Sequence, residues 1–212
     1  MTTNRSVLRR AAMVAATATA ALVLVACGSD GMSGMDHGAG SDPFVSASAS
    51  ASASAGAHNA ADVDFAKEMI THHRQAIEMA DLAAIRASST DVKTLAEKIK
   101  SAQDPEINTM SGWLTSWGEE VPEDMAGMGH DMSAGMPGMM SADDMAKLDK
   151  AKGAEFDTMF LDMMVDHHQG AIEMANTEKS KGQYGPATEL AAAVITAQTA
   201  EIKQMNGLLG KS

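Results

Sequence analysis

The sequence predicts an all-α fold, an antiparallel four-helix bundle assembled from two copies of one helical hairpin. Three observations point there. From Asp62 onward, apolar residues recur with a helical period in stretches rich in Ala, Met, Glu and Lys. Aromatic residues are only 3% of the chain and β-branched runs are few, so no strand pattern competes. Finally, a single shift of 95 positions lays Phe65, Met69, His72, His73, Ala76, Ile77, Glu78, Met79 and Ala80 on Phe160, Met164, His167, His168, Ala171, Ile172, Glu173, Met174 and Ala175. The same shift, with no gap, lays Leu95, Ala102, Gln103, Glu106, Ile107, Met110, Gly112 and Leu114 on Leu190, Ala197, Gln198, Glu201, Ile202, Met205, Gly207 and Leu209. One register that holds through two helices and their turn marks an internal duplication.

Residues 1–26 read as a signal peptide. Arg5, Arg9 and Arg10 give a basic start, and the uncharged run Ala11 to Ala26 is too short for a comfortable membrane span of ~20 residues. The only cysteine, Cys27, follows Leu24-Val25-Ala26, which resembles the lipobox of bacterial lipoproteins. That resemblance implies a diacylated Cys27, carrying palmitate-type chains, as the new first residue. It places the protein at the outer face of the cytoplasmic membrane; Arg9-Arg10 leaves Sec and twin-arginine export both open. With Cys27 used, the mature chain has no disulfide and must stand on packing or metal.

The whole chain carries a formal charge of −12. The leader holds three of the 16 basic residues and no acidic one, so the mature part sets 13 basic against 28 acidic residues. Such a surface repels nucleic acid and anionic lipid headgroups and attracts cations, which excludes a nucleic-acid role.

Residues 27–60 form a tether. They begin Gly28-Ser29-Asp30-Gly31-Met32, pass through Met35 and His37, and end in the Ser-Ala tract from Ser46 to Ala55. As a flexible coil this segment spans on the order of 30 Å root-mean-square. The bundle is assigned to 61–212, with hairpins 61–117 and 142–209 joined by a Met/Gly-rich loop, 118–141. The first helix runs from about 61 to 87 and the second from about 91 to 117, capped by Thr90 or Asp91. The third, from about 142 to 181, is expected to break near Gly153. Gly182 to Pro186 turn the chain into the fourth.

On the first helix, Phe65, Met69, His72, His73, Ala76, Met79, Ala80 and Ala83 share one stripe, while Glu78 falls on the opposite side. A single inward histidine is usually a satisfied core residue, and a methionine stripe usually a plastic core. Two His-His pairs at equivalent places change that reading, because a bundle then gathers four imidazoles near one level. On the second helix the expected inward stripe is Leu95, Ile99, Ala102, Glu106, Met110 and Trp113, with Gln103 at its margin. Folding the hairpin near Ser88 brings Glu106 level with His72 and His73, and Glu201 level with His167 and His168. A buried carboxylate needs a partner. Each glutamate is therefore expected to be a structural partner of histidine, a metal ligand or a support for one.

The motif Phe65-x-x-x-Met69-x-x-His72-His73-x-x-Ala76-Ile77-Glu78-Met79-Ala80, with its copy from Phe160 to Ala175, resembles the paired motif of the family called domain of unknown function 305. That resemblance covers about Asp62 to Leu209. It implies a ferritin-like bundle and, since the family includes bacterial periplasmic copper-binding proteins, metal ligands at Met69, His72, His73, Met79, Met164, His167, His168 and Met174. A second methionine signal lies among Gly and Pro in the loop, at Met125, Met128, His130, Met132, Met136, Met139 and Met140. That spacing gives no buried face, so these residues are expected to form a copper collector. Thioethers suit Cu(I), need no deprotonation and form no disulfides.

The leading functional expectation is an extracytoplasmic copper-binding lipoprotein that buffers or sequesters Cu(I) or Cu(II), with zinc or iron as other metals. A homodimer and a copper-delivery partner are left open. One alternative is a ferritin-like di-metal oxidase, with Glu106 and Glu201 as the carboxylate pair. It lacks the second half of a di-iron motif, since Glu68 precedes His72 by four positions and its counterpart is Met163. Another is a surface interaction module in which the His-Glu pairs are only structural. No nucleophile triad or phosphate-binding loop is present.

Overall fold

A computed structural model describes residues 56–123 and 135–211. The expected signal peptide, Cys27, the tether to residue 55, and Met125, Met128, His130 and Met132 lie outside the described residues. The fold is all-α, with α1 (Ala60–Arg86), α2 (Thr90–Trp117), α3 (Ala142–Lys150), α4 (Ala154–Lys181) and α5 (Gly185–Leu208). Among the described residues, no helix is long and apolar enough to cross a membrane.

Local chemistry sets the helix ends. Asn59 caps α1 by accepting from the Ala61 and Asp62 N–H groups, while the Asp62 carboxylate accepts from the Asn59 N–H. At α2 the cap is Ser89 rather than Thr90 or Asp91. Ser89 keeps an extended backbone, which lets its hydroxyl accept from the Val92 N–H. The third predicted helix is split into α3 and α4 at Gly153, whose φ of 65° and ψ of −139° lie in a region open almost only to glycine. The Gly153 N–H donates to the Arg86 carbonyl, tying the break to the end of α1. Pro105 lies inside α2 without ending it; it sits on the exposed face.

Each hairpin closes on itself, α1 on α2 and α4 on α5, and the two halves meet through α1 against α4. Two carboxylates lock that junction. Asp62, at the start of α1, accepts from the Gln183 and Tyr184 N–H groups at the α4–α5 turn. Asp157, at the start of α4, accepts from the Ser88 and Ser89 N–H groups at the α1–α2 turn. Donors and acceptors are all related by the 95-residue shift, so each half clasps the other by the same contact. That reciprocity defines a pseudo-two-fold axis between α1 and α4.

All eight residues of the predicted α1 stripe are buried. The α2 stripe is corrected. Its buried residues are Val92, Leu95, Ala96, Ile99, Gln103, Met110 and Leu114, while Ala102 is exposed and Trp113 half-buried. The spacing 92, 103, 114 is an 11-residue repeat, which turns the helix so that Gln103, and not Ala102, faces α1. Glu106 consequently sits at the edge of the interface rather than in the core.

The core forms two apolar clusters. One, around Ala76, Met79, Leu95, Phe156, Phe160, Met164 and Met205, fills the end near the α1–α2 turn. The other, around Phe65, Met69, Ile70, Met110, Leu114, Met174 and Val194, fills the opposite end. His72, His73, His167 and His168 are fully buried within the helices that both clusters share. In sequence they fall between Met69 and Met79 on α1, and between Met164 and Met174 on α4.

Candidate metal centre

The four histidines divide into two kinds. His73 Nε2 lies 2.7 Å from Glu106 Oε2, and His168 Nε2 lies 2.7 Å from Glu201 Oε2. A carboxylate offers only acceptors, so in each pair Nε2 carries the proton and donates. The glutamate side chains are 22% and 20% exposed against fully buried rings, which lets them stay solvated on one side while serving the core on the other. His72 and His167 instead face each other across the α1–α4 junction. Their ring centroids are 3.7 Å apart with planes tilted by 36°.

His72 Nε2 lies 3.1 Å from the Pro137 carbonyl oxygen, an acceptor only, so it too donates from Nε2. His167 makes no well-formed hydrogen bond at either nitrogen, only a weak contact with the His72 backbone, and Nδ1 is buried without a partner on all four rings. Burial and the neighbouring His73 push His72 down to about 3. Burial and the facing His72 hold His167 well below the usual imidazole range. The pair is therefore neutral and buried, with the Nδ1 atoms unpartnered.

Buried neutral nitrogens without hydrogen bonds are costly as structure and suited to a metal ion. The donor set fits a soft one. Met69 and Met174 belong to the apolar cluster at one end, and Met79 and Met164 to the cluster at the other. Among the described residues no three His, Cys, Asp or Glu side chains are arranged to hold one ion. Imidazole alone thus does not complete a coordination sphere, and thioether sulfur would have to contribute. A carboxylate-rich di-iron arrangement is not formed either, because Glu106 and Glu201 are each engaged by the histidine of their own hairpin. The repeated Glu78 and Glu173 are exposed, as expected.

Of the loop methionines, Met136 and Met139 are half-buried and Met140 is buried in the core. For Met140 the expectation of a loop without a buried face is corrected. The Gln75 side-chain amide donates to the Met140 carbonyl and accepts from its N–H, pulling that residue onto α1. Gln103, expected only at the margin of the inward stripe, and its counterpart Gln198 are in fact buried, each 3% exposed one turn before Glu106 and Glu201. Their signal was present in the shared register, where glutamine matched glutamine.

A family model described as "Domain of unknown function (DUF305)" matches residues 62–209. The chain belongs to that family. Among solved structures, a putative secreted DUF305 protein from Streptomyces coelicolor is 34% identical, with a TM-score of 0.63 over 71% of this chain and 93% of that one. A DUF305 fragment from Deinococcus radiodurans is 28% identical, with a TM-score of 0.65 over 74% of this chain and all of that one. CopM in its Cu(II)-bound form is 35% identical, with a TM-score of 0.59 over 69% of this chain and 94% of that one. CopM has also been solved in Cu(I)-bound and Ag-bound forms. No curated protein sequence matches the chain.

Proposed function

We propose that this DUF305 protein is an extracytoplasmic, lipid-anchored metal-binding protein that holds copper, chiefly Cu(I), in the histidine layer of its bundle and so buffers or sequesters the ion. The observation that carries the reading is the set of four buried imidazoles, each with an unpartnered Nδ1, on helices that also bury Met69, Met79, Met164 and Met174. Neutral imidazole and thioether together favour a soft ion over magnesium or calcium. The copper- and silver-bound forms of CopM, about one-third identical, support the same choice. Cys27 would anchor the chain, and the acidic mature sequence would draw cations toward it. Zinc and iron are the competing ions, and the loop methionines the competing site.

The test is anaerobic Cu(I) binding by the mature protein and by a variant with His72, His73, His167 and His168 all changed to Ala. The wild type is expected to bind at least one ion that the variant does not. Its thermal midpoint is expected to rise on loading, because an ion held only by the folded state stabilises that state. Equal affinity in both proteins would refute the bundle site and point to the loop.

A further inference from the structure

The segment Met136–Met140 crosses the junction of α1 and α4 over the His72–His167 pair. It touches α1 at His72, through the Pro137 carbonyl, and at Gln75, whose amide clamps both backbone groups of Met140. It touches α4 at Gly170, where any Cβ would overlap the Pro137 carbonyl. It also reaches Asp166, whose carbonyl lies 2.6 Å from where a Cβ of Gly138 would stand. Gly138 has a φ of 74°, so glycine is required there by conformation as well as by space.

Gln75 and Gly170 are the same position in the two repeats. A single strap lying astride a pseudo-two-fold axis cannot be met alike from both sides, and here one side grips it while the other makes room. The symmetry is broken at the histidines in the same sense. His72 has its Nε2–H held by the strap, whereas His167, its counterpart, receives no hydrogen bond from the strap and no well-formed one elsewhere.

We propose that Gln75 and Gly170 are positioning residues for metal binding: they seat the strap so that the Pro137 carbonyl fixes His72 as the Nε2–H tautomer with Nδ1 free, and leave His167 without such a hold. Fixing one ring nitrogen by a backbone carbonyl is how proteins orient a metal-binding imidazole. The proposal rests on the reading that the histidine layer binds copper, and it accounts for a difference between two rings that the duplication would otherwise make equal.

The experiment compares the wild type, Gln75→Ala, Gly170→Ala and, as a control, Gly207→Ala, a helical glycine whose added Cβ meets nothing within 4 Å. Long-range ¹H–¹⁵N correlations on the metal-free proteins report the His72 tautomer. Hydrogen exchange reports protection of residues 136–140, and Cu(I) competition titration reports affinity. The wild type and Gly207→Ala are expected to show a single Nε2–H form. Gln75→Ala and Gly170→Ala should show mixed tautomers, at least tenfold faster exchange in the strap and a tenfold or larger loss of Cu(I) affinity. Gln75→Glu, which keeps only the acceptor half of the clamp, should fall between. If the wild type binds Cu(I) but both strap variants keep its tautomer and affinity, the positioning role is refuted while the copper reading stands. If the wild type binds no Cu(I), the copper reading falls and takes the positioning role with it.

Discussion

Replacing Glu106 by Gln or Ala, and Glu201 likewise, separates a carboxylate that binds the ion from one that orients the imidazole that binds it. The geometry favours orientation, since both carboxylates lie 2.7 Å from Nε2 while Nδ1 of the same rings is free. Glu106→Gln keeps a carbonyl acceptor and loses the charge. The bond then falls from a charge-assisted strength of about 1.5–3 kcal/mol to a neutral one of about 0.5–1.5 kcal/mol. The difference, about 1–1.5 kcal/mol, corresponds to roughly tenfold in affinity. Glu106→Ala leaves a buried Nε2–H without a partner and releases the ring, for which a loss of about 10–100-fold is expected. The Glu201 variants should match them, because distance and exposure are nearly the same in the two hairpins. In the double Gln variant, additivity to within about 0.5 kcal/mol is expected if the two pairs act on separate ions, and a departure from it if they share one. Cu(I) affinity measured by competition with a chromogenic chelator reads all six numbers. A loss beyond about a thousandfold from either Gln variant would show that the carboxylate is itself a ligand. No loss from either Ala variant would remove these histidines from the site.

Three further outcomes follow from the structure. Asp62→Ala should cost about 3 kcal/mol or more in urea unfolding and Asp157→Ala about 1–2 kcal/mol, because the same clasp is fully buried at Asp62 and partly exposed at Asp157; equal costs would contradict that account. Gly153→Ala should lower stability by about 1–3 kcal/mol through backbone strain alone, with no Cβ clash to add to it. Burial and the adjacent Asp62 push Glu178 up to about 8, so it stays protonated in the fold while the unfolded chain ionises in the ordinary carboxyl range near 4.5. Its contribution is therefore full below about pH 4.5 and is lost as pH rises toward 8. Relative to Glu178→Gln, the wild type should lose stability across that window in denaturation at several pH values, and parallel curves would refute the assignment.

Much of this protein is legible without a structure because duplication is a property of the chain. A register that carries Phe65 to Phe160 and Glu106 to Glu201 can hold only if both halves fold alike. Helical periodicity then places the α1 stripe correctly residue by residue. On α2, Leu95, Ile99 and Met110 are buried as expected, but Ala102 and Trp113 were each taken for the buried residue that follows, because the side a helix presents to its neighbour depends on how the two cross, and local periodicity carries no information about crossing. The clasps of Asp62 and Asp157 were invisible for a related reason. Each carboxylate caps backbone more than 60 residues away, and an aspartate near a helix start gives no hint in the sequence of a distant acceptor role.

The sequence by itself determined the helices, the repeat, the four histidines and the glutamate that meets each pair, since these follow from spacing along single helices and one short turn. Only the tertiary structure decided which nitrogen of each ring is spoken for. It paired His72 with His167 across the axis and gave His73 and His168 to the glutamates. It also laid one strap over two equivalent helices. Chain symmetry can specify two like halves, but a segment crossing the axis between them cannot be met in the same way from both sides. The chain writes that asymmetry only as Gln75 in one repeat against Gly170 in the other, and what the difference does appears only in the packed molecule.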